Sequence, residues 1–127
     1  MAPLNAQRDG SSPVALVFAC SGASESGYVT DSAARRLAAE GKARMFCLAG
    51  IGGHIPSFIR TTSDAACIVV LDGCPMDCAG RTLREAGVSR FYQCRVTDLQ
   101  LEDDAEADAD TLIGALMKKG EQLLARG

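Results

Sequence analysis

Apolar residues fall in short runs separated by polar, glycine-bearing stretches. Residues 14–20 and 66–72 are nearly unbroken apolar runs, the pattern of strands covered on both faces. Residues 43–49 form a third run. Residues 90–96 alternate more, which suits a strand nearer an edge. Helical spacing fills the intervals. Thr30 is a candidate N-cap with Asp31 in the first turn, and Val29, Ala33 and Leu37 follow at i, i+4 and i+8 with Ala34 and Ala38 beside them. Gly41 ends that segment. Pro56 suits the first turn of a short helix with Ile55, Phe58 and Ile59 inward. Ala79, Leu83 and Ala86 form the next stripe, stopped by Gly87. A last helix over about 111–125 carries Leu112, Ile113, Leu116, Met117, Leu123 and Leu124, weakened by Gly114 and Gly120.

Strand and helix alternate four times. That order predicts a three-layer α/β fold: a four-stranded parallel sheet with helices on both faces, Rossmann-like or flavodoxin-like. Right-handed crossovers narrow the topology. Strand order 2-1-3-4 is favoured, with 1-2-3-4 as the alternative. Residues 1–13, polar and rich in Gly, Ser and Pro, are expected to be a disordered tail, and 14–127 a single domain. No solenoid-type repeat is present.

The 127 residues are 47% hydrophobic, enough for one core. Aromatics are only 5% and Trp is absent, which argues against base-stacking nucleic-acid modules. The net charge of −3 is uneven. Glu102, Asp103, Asp104, Glu106, Asp108 and Asp110 cluster in one run. Without those six of its 16 acids, the chain carries ten against 13 bases. Such a run reads as a solvated loop, with metal buffering or docking as the sharper alternative. No apolar stretch is long enough for a membrane span, and the start lacks the signal-peptide pattern. A reducing, cytoplasmic setting is therefore expected. There, six cysteines point to metal ligation or thiol chemistry rather than structural disulfides.

Their positions sharpen that reading. Cys20 ends the first strand segment, Cys47 lies late in the second, and Cys74 follows the third, with Cys78 four residues later at the start of a helix. Parallel strands end at one sheet edge, so these thiols converge there. In the favoured order, strands 1 and 3 flank the topological switch point, where ligands bind. Neighbouring thiolates repel one another and are costly to bury unpaired, and zinc relieves both problems. An iron–sulfur cluster suits the same donors but is less favoured.

At these residues the chain resembles a known family. Residues 72–78, with Asp72, Gly73, Cys74 and Cys78, together with Cys-Ser-Gly at 20–22 and Cys-Leu-Ala-Gly-Ile-Gly at 47–52, are similar to the DGC-domain family, for which zinc binding has been proposed. The resemblance covers roughly residues 14–100. It implies one zinc ion held by Cys20, Cys47, Cys74 and Cys78. Cys67 and Cys94 fall outside the family pattern. Cys67 is flanked by apolar residues and reads as a small buried hydrophobe. Cys94 reads as a buried thiol or an additional redox or metal ligand. His54, the single histidine, reads as a loop or capping residue or a further ligand.

Two glycine-bearing segments adjoin the cysteines. Ser21, Gly22, Ser24 and Ser26 lie in one, and Gly50 and Gly52 in the other; both are candidate loops for an anionic or polar small molecule. No Arg lies within 21–27, which sets aside a cysteine phosphatase, and no Rossmann acid accompanies Gly50–Gly53. The leading expectation is a zinc-binding protein with a role in metal or small-ligand binding or sensing. The alternative is a thiol-based redox or sulfur-transfer protein; metal-assisted hydrolysis, with Asp72, Asp77 or His54 as the base, is a third. Neither nucleic acid nor membrane is an expected partner, and oligomeric state is not legible.

Overall fold

The computed structural model describes residues 14–20, 22–99 and 108–127. The tail at 1–13, Ser21 and most of the acidic run (102–107) lie outside the described residues. The elements are β1 (Ala15–Ala19), α1 (Glu25–Ala39), β2 (Arg44–Met45), α2 (Leu48–Gly52), α3 (Pro56–Ser63), β3 (Cys67–Asp72), α4 (Cys78–Glu85), β4 (Tyr92–Arg95), a 3-10 turn at Val96–Asp98, and α5 (Ala109–Leu124). All strand pairs are parallel, in the order β2-β1-β3-β4. The favoured 2-1-3-4 order therefore holds. β1 and β3 are central and almost wholly buried, as their unbroken apolar runs require, and β4 is an edge.

Strand alternation divides the core into two apolar clusters, one per face. Val17, Val69 and Leu71 pack under α1 and α5 with Ala33, Leu37, Ile113 and Leu116. Leu16, Phe18, Ile68 and Val70 pack on the other face with Ile51, Ala79 and Leu83 from α2 and α4, and with Phe58 of α3. Gly41 (φ 76°) and Gly87 (φ 91°) close α1 and α4 in left-handed turns, as their positions implied.

Three features differ from the sequence pattern. Helix α1 begins earlier than expected, capped by Ser24, whose hydroxyl accepts the Gly27 N–H at 3.0 Å. Thr30 is thus a buried residue inside the helix and not its cap. The extra turn was hidden because Glu25 and Tyr28 face solvent and interrupt the apolar stripe. β2 spans only Arg44 and Met45, with the Phe46 N–H still donating to Val17 O; the rest of its apolar run turns into α2, since an apolar run alone does not separate a strand end from a buried helical turn. Ile55, expected inward, is 43% exposed because the chain reverses there between α2 and α3.

Candidate metal and thiol site

Cys20, Cys47 and Cys74 follow β1, β2 and β3 at the C-terminal edge of the sheet. The ladder carries Cys20 to that edge: its amide donates to Leu71 O at 3.1 Å, one residue beyond β1. Its Sγ lies 3.3 Å from Thr30 Oγ1, which itself donates to Gly27 O at 2.8 Å. Cys47 is exposed and caps α2, its sulfur accepting the Gly50 N–H at 3.4 Å. Cys74 is partly exposed in the turn after β3, and Cys78 is the exposed first residue of α4.

The segment between Cys74 and Cys78 is held from several directions. Asp72, almost completely buried, receives the N–H groups of Ala79 (2.8 Å) and Gly80 (3.1 Å) and the amide of Gln93 (2.8 Å). It caps α4 from the end of β3, so the first turn carrying Cys78 is tied to the sheet. Asp77, the residue before the helix, makes no side-chain cap; it stands at φ 56° and gives both carboxylate oxygens to Arg95, at 2.6 and 2.7 Å. Those hydrogen bonds hold the Asp77 carboxyl below the usual carboxylate range. Arg95 also reaches Asp98 at 3.1 Å. Gly73 lies against the first turn of α1: a Cβ there would stand 2.5 Å from Ser26 Oγ and 3.2 Å from its backbone carbonyl carbon.

The sequence profile of the DGC domain matches residues 16–119, which include all but the first residue of the sheet and all six cysteines. The chain belongs to the DGC-domain family. A Pseudomonas aeruginosa protein named anaerobic and virulence modulator AnvM is 33% identical over 126 residues, covering 95% of this chain and 93% of the relative. No solved structure shows a significant match.

In this DGC domain the thiols suit a soft metal by donor type and by their shared edge. They are not assembled for one. Among the described residues, no three His, Cys, Asp or Glu side chains are placed together to hold an ion. Ligation of one ion by Cys20, Cys47, Cys74 and Cys78 therefore requires these thiols to come closer together.

The remaining candidates separate by environment. Cys94 and Cys67 are buried on the α1–α5 face, whereas Cys20 packs against the opposite cluster. His54 is an exposed turn residue at φ 57° whose N–H donates to Ile51 O. The two glycine-bearing segments are largely helical rather than open loops. Residues 25–27 begin α1 and 48–52 form α2, so the Gly27 and Gly50 N–H groups are spent on Ser24 and Cys47. Ser26 faces Gly73, and Gly50 makes room for the Phe58 ring, a packing reason for that glycine. Gly22 and Gly52 are exposed.

Sequence reasoning missed the Thr30–Cys20 contact, Gln93 and the Asp77–Arg95 pair. Each joins residues 10 to 21 positions apart, and their side-chain pattern carries no periodic signal.

Thiol chemistry follows from burial. Alkylation with iodoacetamide, read by peptide mass mapping, should label Cys47 and Cys78 first, with Cys67 and Cys94 at least about tenfold slower. Burial raises the Cys67 thiol, partly offset by Arg90, and raises the Cys94 thiol, partly offset by Lys119. The folded chain thus holds these protons more tightly than the unfolded one. Their contribution is intact below the unfolded thiol value of about 8.5 and is lost as pH rises through the higher folded values. The urea midpoint should fall above that pH, and Cys67→Ala should flatten the fall. A wild-type curve flat through the alkaline range would refute the assignment.

Proposed function

We propose that this DGC-domain protein is a zinc-binding regulator whose metal is held by Cys20, Cys47, Cys74 and Cys78. One observation carries the reading: Cys20, Cys47 and Cys74 follow three adjacent strands and Cys78 begins the helix after β3, all accessible or partly accessible, around the β1–β3 switch point where parallel sheets take ligands. Zinc, when bound, would neutralise the thiolates and draw their segments together. A sensing role is favoured over a brace. Apolar clusters on both faces already support the sheet, so it does not need the metal to fold. The name of the Pseudomonas relative, a modulator, accords with regulation. A small anionic or polar ligand beside the site and a reducing, cytoplasmic setting belong to the same proposal.

Protein purified without chelator should carry about one zinc per chain, the expectation for one four-ligand site. Cys74→Ser should lose most of it and Cys67→Ala should keep it. Chelation should leave the far-ultraviolet circular dichroism largely unchanged. Metal-free wild-type protein after zinc reconstitution would refute the metal reading, and cooperative unfolding on chelation would make zinc a brace.

The exposure of Cys47 and Cys78 supports a second reading, thiol redox or sulfur transfer. It requires a metal-free wild type in which mild oxidation joins two of the edge cysteines and thiol reductant restores them.

A further inference from the structure

Thr30 is the fully buried polar group beside Cys20 that the proposed function does not use. Its hydroxyl has one proton and two neighbours, Gly27 O at 2.8 Å and Cys20 Sγ at 3.3 Å. With Thr30 donating to Gly27, the Cys20 contact needs the thiol as donor. A metal-bound or nucleophilic sulfur has no proton to give, so in that state the contact survives only if the hydroxyl turns and donates to sulfur. Gly27 O loses little, because in a helix that carbonyl also accepts the amide four residues on.

We infer that Thr30 is a positioning residue for Cys20: its hydroxyl swings from Gly27 O to Sγ and supplies the hydrogen bond that orients and stabilises the ligating thiolate. The inference rests on Cys20 being a working thiol of the proposed site. The balance is simple. The incoming cation replaces the thiol proton, which leaves to solvent, and the threonine proton only rotates. Outer hydrogen bonds of this kind commonly set ligand orientation and metal affinity. Burial strengthens the effect, since no water competes for the hydroxyl.

The test uses the full chain, titrated with Co²⁺ in place of zinc, for wild type, Thr30→Val and Thr30→Ser. Valine keeps the shape and removes the hydroxyl; serine keeps the hydroxyl. Thr30→Val should weaken Co²⁺ binding about tenfold and move the sulfur-to-cobalt charge-transfer band, with Thr30→Ser close to wild type. Circular dichroism should be the same for all three. A Thr30→Val titration and band identical to wild type overturn the inference. If wild type shows no charge-transfer band, the metal reading fails, and Thr30 is then judged by Cys20 alkylation against Cys47 in the same digest. A several-fold slower Cys20 in Thr30→Val, restored in Thr30→Ser, supports the inference, and equal rates reject it.

Discussion

Asp72→Ala should destabilise the protein by about 3 kcal/mol, combining a lost helix cap with stranded buried donors. The carboxylate receives two backbone N–H groups of α4 and the Gln93 amide, and all three lose their partner together. A stability of about 5–15 kcal/mol is usual for such a domain, so the loss is a large share. It should appear as a lower urea midpoint with little change in slope. Because Asp72 ties Cys78 to the sheet, metal affinity should fall as well, although Asp72 is not a proposed ligand. Asp77→Asn gives the contrast: that carboxylate is part-buried, pairs with Arg95 and caps nothing, and asparagine keeps an oxygen for the guanidinium, so its stability cost should be smaller. Equal costs at the two positions would show that Asp72 is not the cap of α4.

Gly73→Ala should cost about 2 kcal/mol, within the range for forcing a methyl into packed surroundings. The added methyl meets Ser26 Oγ at 2.5 Å and the Ser26 backbone at 3.2 Å. The hydroxyl can rotate away, but the backbone cannot, so the turn and the first turn of α1 must separate. That separation moves Cys74 away from the β1 end that carries Cys20. The variant should therefore combine modest destabilisation with a marked loss of zinc and faster alkylation of Cys20. Gly114→Ala offers a control: nothing lies near its Cβ, and alanine favours the helix, so stability should hold or rise. Wild-type zinc content in Gly73→Ala would mean that this close approach does not shape the site.

The fold was legible because it depends on periodicity and order. The runs around Val17 and Val69 could be covered only on both faces, and the alternation with helices left few topologies. The cysteine positions were legible for the same reason, since a parallel sheet sends every strand end to one edge. The start of α1 was less so. Ser24 and Thr30 both suit a cap by type, and only the packing of Val29 and Thr30 against the sheet shows which is outside the core.

What the sequence determined by itself was the class and the shared edge of Cys20, Cys47 and Cys74, both consequences of chain connectivity and apolar period; between the two strand orders it left open, the tertiary structure chose 2-1-3-4. The tertiary structure decided the partners of individual polar groups. It set Thr30 against Cys20, Gln93 and α4 against Asp72, and Arg95 against Asp77. It also turned Cys94 to the face away from Cys20 and left the edge thiols unassembled among the described residues. The physical reason is range. Apolar patterning is read along a few turns of chain, whereas a hydrogen bond depends on ångström placement of side chains from separate elements, which only the packed core fixes.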